Sequence, residues 1–247
     1  RPIPQVRAGF IDFVDIPFTK GWVQIKGELA YGKFMDNDFL RDHYNYYNQY
    51  ITTDALYHHK SISFRSNPDK PFVVTIGAEL AAQFGGTKRY YEKGILIDSL
   101  TMKSPTRLKD FFKILFPSSG DGQTNEGDQA YYYGNHVGQW NLSAEYRFKD
   151  NSSVRGYFEW YFDDASGMGK FNGWDGLWGL EYKSGKKNWL SNVVLEYLDM
   201  TNQSGPLNWC PSDYNDPKLD IEATGADDYY NNYFYNGWAH YGLSNGT

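Results

Sequence analysis

The chain of 247 residues holds one cysteine, Cys210, so an internal disulfide is excluded. No His or Cys stands near it at ligand spacing, which excludes a thiolate metal site as well. Long apolar runs are also missing. No stretch approaches the roughly 18–20 consecutive apolar residues of a spanning helix, so helical membrane insertion is excluded. Basic excess is absent: 24 Lys and Arg stand against 30 Asp and Glu, a net charge of −6, which argues against nucleic acid as main partner. The five histidines, including the His58-His59 pair, show no metal-ligand spacing, and His136 is expected to make a structural hydrogen bond. No Ser/His/Asp order, phosphate loop or Cys nucleophile stands out, so the chain does not read as an enzyme. Disorder is excluded by 22 Tyr, 16 Phe and 8 Trp in a chain whose mean hydropathy is only −0.67.

What is present is a period of two. In 139–148, Trp140, Leu142, Ala144, Tyr146 and Phe148 alternate with Gln139, Asn141, Ser143, Glu145 and Arg147. Segment 154–163 sets Val154, Phe158, Trp160 and Phe162 against Arg155, Glu159 and Asp163. Segment 72–84 repeats the pattern from Phe72 to Phe84. Successive side chains of a strand point to opposite faces, so these are strands with one apolar and one polar face. Nine are expected, near 6–15, 21–32, 59–66, 71–84, 136–149, 153–163, 175–184, 188–200 and 236–243, in one domain over 1–247.

The connections alternate in length. Short turns at 16–20, 67–70, 150–152 and 185–187 interleave with long loops at 33–58, 85–135, 164–174 and 201–235. An antiparallel meander with tight turns at one end and large loops at the other is the pattern of an outer-membrane barrel, apolar outside and polar inside. Aromatics near strand ends on the apolar face, such as Phe72, Tyr146, Phe148 and Tyr182, fit interface girdles. The competing fold is a water-soluble β-sandwich whose aromatic faces pack on each other. Ser104 and Pro105, followed by Leu108, Phe111, Phe112 and Leu115, read as N-cap, N1 and the apolar face of a short helix folded over the barrel mouth.

Several strings near strand ends resemble a known family: Gly134-Asn135-His136-Val137-Gly138-Gln139-Trp140, Phe162-Asp163-Asp164-Ala165-Ser166-Gly167, Asp175–Tyr182 and the terminal Tyr229–Thr247. Together they are similar to the Wzi-type capsule-assembly proteins, in the branch found in Bacteroides-like bacteria. That resemblance implies an outer-membrane β-barrel of about eighteen strands with its loops outside the cell. It also implies a surface lectin that holds capsular polysaccharide without cleaving it. It supplies no catalytic residue. Nine strands are about half such a barrel, and the chain ends on the loop-like Asn245-Gly246-Thr247, so a piece of a longer protein is expected.

Sugar binding needs flat apolar rings beside carboxylates and amides. The long loops offer Tyr46 and Tyr47; Asp128 with Tyr131, Tyr132 and Tyr133; and Trp209, Asp227, Tyr229 and Tyr230. Individually, such rings also pack loops against one another or form the girdle. Glu79, Glu145, Arg147, Arg155, Glu159, Asp163, Glu181 and Glu196 are expected to face the lumen, lining a channel or pairing across strands. Glu159 and Asp163, four strand positions apart, would be separated by about 13 Å. Glycosidase carboxylates stand roughly 5–9.5 Å apart, so hydrolysis is disfavoured. No cofactor is expected beyond a weak case for calcium at Asp121, Asn125, Glu126 and Asp128. The expected partners are outer-membrane lipid, a capsular or surface polysaccharide and other envelope proteins. The competing functions are an outer-membrane pore or a subunit of an envelope complex, and a soluble carbohydrate-active enzyme or lectin.

Overall fold

The computed structural model describes residues 3–35, 38–125, 128–129, 132–163, 174–186, 189–201, 232–235, 237–241 and 243–244. Eight long strands follow one another as an antiparallel meander: β1 (Gln5–Asp15), β2 (Val23–Lys33), β3 (Gln49–Ser66), β4 (Phe72–Glu92), β7 (Asn135–Arg147), β8 (Ser153–Asp163), β9 (Gly176–Lys183) and β10 (Asn192–Asp199). A short helix α1 (Phe39–Tyr44) precedes β3. Two-residue strands β5 (Ile95–Leu96) and β6 (Met102–Lys103) pair back onto β4, and helix α2 (Leu108–Leu115) follows them. The sheet is open, with β1 and β10 as its edges.

The alternation in sequence becomes two opposed faces because the register stays in phase. Val14, Ile25, Phe64, Ile76, Leu142, Phe158, Trp178 and Tyr197 form one cross-strand row spanning all eight strands. The adjacent row, on the opposite face, reads Asp15, Gln24, Arg65, Thr75, Ser143, Tyr157, Gly179 and Glu196. In the polar row, Gln24 donates to Asp15 at 2.9 Å, Arg65 donates to Gln24 at 2.6 Å, and Tyr157 donates to Glu196. The apolar row has ring stacking, Phe158 on Trp178 at 3.9 Å, but little cover: Ile76 is 50% exposed and Tyr197 64%. Large patches of this kind mark surfaces that meet something other than water.

Loop length is sorted by end as the sequence implies. Tight turns join β1 to β2, β3 to β4, β7 to β8 and β9 to β10, and long connections occupy the other end. Three expectations need correction. First, β3 and β4 run well into the expected loops. β2 ends opposite Leu56 and β7 opposite Gln83, so 49–55 and 84–92 project as a hairpin for about 25 Å. Gly85 and Gly86, at φ +68° and +78°, bend it. A Cβ on Gly86 would stand 2.7 Å from Thr53 O, so no other residue fits there.

Second, α2 begins at Leu108 rather than after Ser104, because Arg107 is the N-cap and its N–H donates to Asp110 at 2.7 Å. Nor does the helix roof a mouth. Ile114 is buried with Ala82, Phe84 and Tyr133, and Phe111 packs on Tyr31 and Phe84. Lys60 donates to the terminal carbonyls of Ile114 and Leu115. Tyr31, Lys60, Ala82 and Phe84 belong to the apolar face, so α2 lies on that face at its long-loop end. Leu108, Phe112 and Phe116, a stripe at every fourth position, remain 54–77% exposed.

Third, 236–243 is no wall strand. Its described residues make only a two-residue ladder, β11 (Ala239–His240) with β12 (Leu243–Ser244). The tail instead crosses the polar face: Tyr235 and Trp238 bury against Phe34, Ala55, Tyr57, Ala81 and Val137. Gln83 donates to Gly237 O at 2.7 Å and Thr52 donates to Phe234 O at 2.5 Å.

Candidate functional site

At the long-loop end, the projecting hairpin and the segment before α1 enclose a cavity of about 490 Å³. Ile51, Thr53, Arg89 and Tyr91 come from β3 and β4, while Lys33, Phe34, Met35, Asp38 and Arg41 close the opposite wall. Three cations therefore meet two carboxylates of the lining, Asp38 and Asp54. Lys33 pairs with Asp54 at 2.6 Å, and Arg41 pairs with Asp38 at 3.2 Å and Asp42 at 2.9 Å. Arg89 donates from Nη1 to the Thr53 hydroxyl at 2.9 Å and pairs with no carboxylate among the described residues. The cavity thus combines apolar side chains, two carboxylates paired to Lys33 and Arg41, and a guanidinium with no carboxylate partner among the described residues. None of its lining residues figures among the residues singled out by sequence.

On the opposite face of the same two strands stands a ring cluster. Tyr50 meets Tyr90 at 5.1 Å, Tyr233 at 5.4 Å and Phe234 at 5.3 Å, while Tyr44 and Tyr47 are 6.4 Å apart. Tyr46 and Tyr47, both expected to be ligand rings, are 68% and 61% exposed at this end. Tyr132 is partly buried.

Two expected ligand residues face inward instead. Tyr133 is fully buried; it donates to Pro105 O, accepts from Gly85 N at 3.2 Å and packs on Phe84. Asp128 is buried too, accepting from Asn125 at 2.7 Å and from Gly134 N at 3.1 Å. Close by, Lys88 is wholly buried on β4. It donates to Ser104 at 2.5 Å, has the Tyr235 ring at 4.3 Å and lies 3.9 Å from Asp128. Burial lowers the Lys88 ammonium to about 8 against the pull of Asp128, and burial likewise raises the Asp128 carboxyl. This cluster ties β4, the loop before α2 and the tail together. Lys88, Ser104, Asp128 and Tyr235 are all buried, which makes the cluster a structural clamp.

The three described residues among the four proposed calcium ligands, Asp121, Asn125 and Asp128, do not converge. Asp121 is held by Arg107 at 2.8 Å, Lys109 at 3.0 Å and Lys113 at 3.8 Å; hydrogen bonds from Lys109, the Gln123 N–H and Arg107 keep its carboxyl well below the ordinary range. Asn125 and Asp128 turn to each other. No group of three or more metal-ligating side chains stands together among the described residues. Glu126, Tyr131, Trp209, Asp227, Tyr229 and Tyr230 lie outside the described residues.

All eight expected lumen residues share the polar face by register. Their charges are mostly engaged. Arg147 bonds Glu145 at 3.1 Å, Arg155 and Lys183 approach Glu181 at 3.8 and 3.1 Å, and Tyr161 donates to Glu159 at 3.2 Å. Farther along, His59 bridges Glu79 at 2.6 Å and Glu28 at 3.2 Å, and Arg7 meets Glu28 at 3.4 Å. This network ends where the tail begins to cover the face. Asp163 sits beside Val137 at that border. The docking site was readable in principle: Ala55, Tyr57, Ala81 and Val137 are apolar residues in polar-phase positions. Comparison with family models, curated proteins and solved structures returned no match for this chain.

Proposed function

We propose that this chain forms wall strands of an outer-membrane β-barrel whose long-loop end binds a surface polysaccharide without cleaving it. The observation that carries the first half is the apolar row spanning eight strands, five of whose eight residues (Val14, Phe64, Ile76, Trp178 and Tyr197) are 38–64% exposed, backed by an equally continuous polar row. From Phe72 to Ala82 the apolar face of β4 runs ten residue steps, about 33 Å along the strand. At a strand tilt near 40° that is about 25 Å along the bilayer normal, the height of an outer-membrane apolar band. Helix α2 then lies at the upper border, where its exposed Leu108, Phe112 and Phe116 prolong the apolar surface. A soluble sandwich would pack a second sheet on this face, and none lies on it among the described residues, which counts against it. Closure requires β1 and β10 to pair, with each other or with further strands.

The second half rests on the cavity and on the exposed Tyr46 and Tyr47 at the same end, together with the loop-end strings that resemble Wzi-type proteins. Binding rather than hydrolysis is favoured because the polar-face carboxylates are already engaged by Arg, Lys, His or Tyr. An open pore is disfavoured by the tail, since Tyr235 and Trp238 occupy the polar face near the long-loop end. The envelope location and any envelope partner follow from the barrel reading alone.

Reconstitution into lipid vesicles, followed by titration with purified capsular polysaccharides, tests the proposal. Insertion with saturable binding and no new reducing ends is expected. A folded monomer in detergent-free water would refute the wall reading, and release of reducing ends would refute the binder reading.

A further inference from the structure

We infer that the loop-end cavity is a subsite for an acidic sugar, a uronic acid residue whose carboxylate is taken by Arg89. The inference rests on the glycan-binding reading of this end and adds the class of glycan. Its basis is the charge balance of the cavity. Lys33 and Arg41 are neutralised by Asp54, Asp38 and Asp42, whereas Arg89 has, among the described residues, only the neutral Thr53 hydroxyl. In a chain of net charge −6, an arginine on a cavity wall without a carboxylate partner stands out against the surrounding charge.

The geometry supplies the rest of a sugar site. Thr53 engages Nη1 at 2.9 Å and orients the guanidinium, leaving Nε and Nη2 without acceptors among the described residues. A planar guanidinium so held offers parallel donors to a carboxylate, the bidentate pairing that arginine makes and lysine cannot. Asp38 and Asp54 each keep lone pairs beyond their ion pairs, and these accept from sugar hydroxyls. Tyr91 and Leu96 give the apolar surface for the CH side of a ring. The volume, about 490 Å³, lies within the roughly 300–1,000 Å³ of small-ligand sites and admits a short saccharide segment.

The test uses the full chain in detergent micelles, titrated calorimetrically with trigalacturonate, with the same trisaccharide as its methyl ester, and with a glucuronate-containing trisaccharide. The ester keeps shape and hydroxyls and removes the charge. We expect one of the acids to bind about tenfold to a hundredfold more tightly than the ester, the size of a charged hydrogen-bonded pair. Arg89→Gln is expected to bring the acid down to the level of the ester. Thr53→Val, which keeps the charge and frees the guanidinium, is expected to give a smaller loss. Equal binding of acid and ester, or an acid preference that survives Arg89→Gln, would overturn the uronate assignment and leave neutral glycan binding standing. Binding of capsular polysaccharide with none of the three trisaccharides held would also overturn it. Failure of every saccharide, polymers included, would remove the glycan reading itself.

Discussion

Replacing Ile76 with arginine separates a membrane-facing sheet from a water-facing one. Ile76 sits on the apolar face in the row that crosses all eight strands, and half of its surface is uncovered. It lies four residue steps from Phe72 and six from Ala82, about 13 Å along a span of about 33 Å, so it falls near the middle of the band. A half-exposed strand position facing water tolerates arginine within about 0.5 kcal/mol. The same arginine facing lipid near the midplane costs about 2–4 kcal/mol, and near the interface about 0–1 kcal/mol. Ile76→Arg is therefore expected to lower the folding equilibrium in vesicles by about thirtyfold or more, and Phe72→Arg by less than about tenfold. Urea titration in thin-bilayer vesicles measures this, with Trp140, Trp160 and Trp178 on the same face as fluorescent reporters. Ser143→Arg, one row over on the polar face, is the control and is expected to cost under about 1 kcal/mol. An Ile76→Arg value within about 0.5 kcal/mol of the parent, or a larger cost at Phe72 than at Ile76, would refute the reasoning.

Two further outcomes follow from the loop end. Tyr133→Ala removes a fully buried ring with two hydrogen bonds and is expected to cost about 3–5 kcal/mol, read as a lower thermal midpoint; Tyr46→Ala with Tyr47→Ala is expected to leave that midpoint alone and to weaken glycan binding. The Lys88 clamp gives a pH dependence. Its folded value, about 8, lies below the unfolded 10.5, so the unfolded chain binds more protons between them and stability rises with pH in that window. The gain from about pH 7.5 to about pH 9.5 is about 2 kcal/mol. Buried Tyr133 and Tyr235, both raised by burial, reverse the trend above about pH 10, where unfolded tyrosine ionises. Lys88→Met is expected to flatten the rise, and a midpoint that falls between the two lower pH values would contradict the clamp.

Much of the fold was legible because strand alternation is local. From 139 to 163 the two faces are written residue by residue, and the register of β7 on β8 preserves them. Legibility failed where both faces are covered. Residues 51–52 and 82–85 are buried in succession: the tail covers one side, and the other is covered by α2 with its loop over Ala82 and Phe84 and by Leu40 and Leu96 over Ile51. A segment covered on both faces has no reason to alternate, so 49–58 and 85–92 read as loop. Helix α2 was legible as a helix, but Ile114 and Phe111 on one side match Leu108, Phe112 and Phe116 on the other, and nothing in that pattern says which side meets the sheet. Tyr131 to Tyr133 look equivalent in sequence, yet Tyr133 is buried because Gly85 N and Pro105 O stand where its hydroxyl reaches.

The sequence by itself determined the all-β meander, the opposed faces and the sorting of loops by length, since each depends on backbone geometry within a few residues. Only the tertiary structure decided the rest: the tail across the polar face, α2 on the apolar one, and Lys33 paired with Asp54 while Arg89 has no carboxylate among the described residues. Those outcomes depend on which groups far apart in the chain come together in the fold and neutralise or cover one another. Neither charge nor period records that distance.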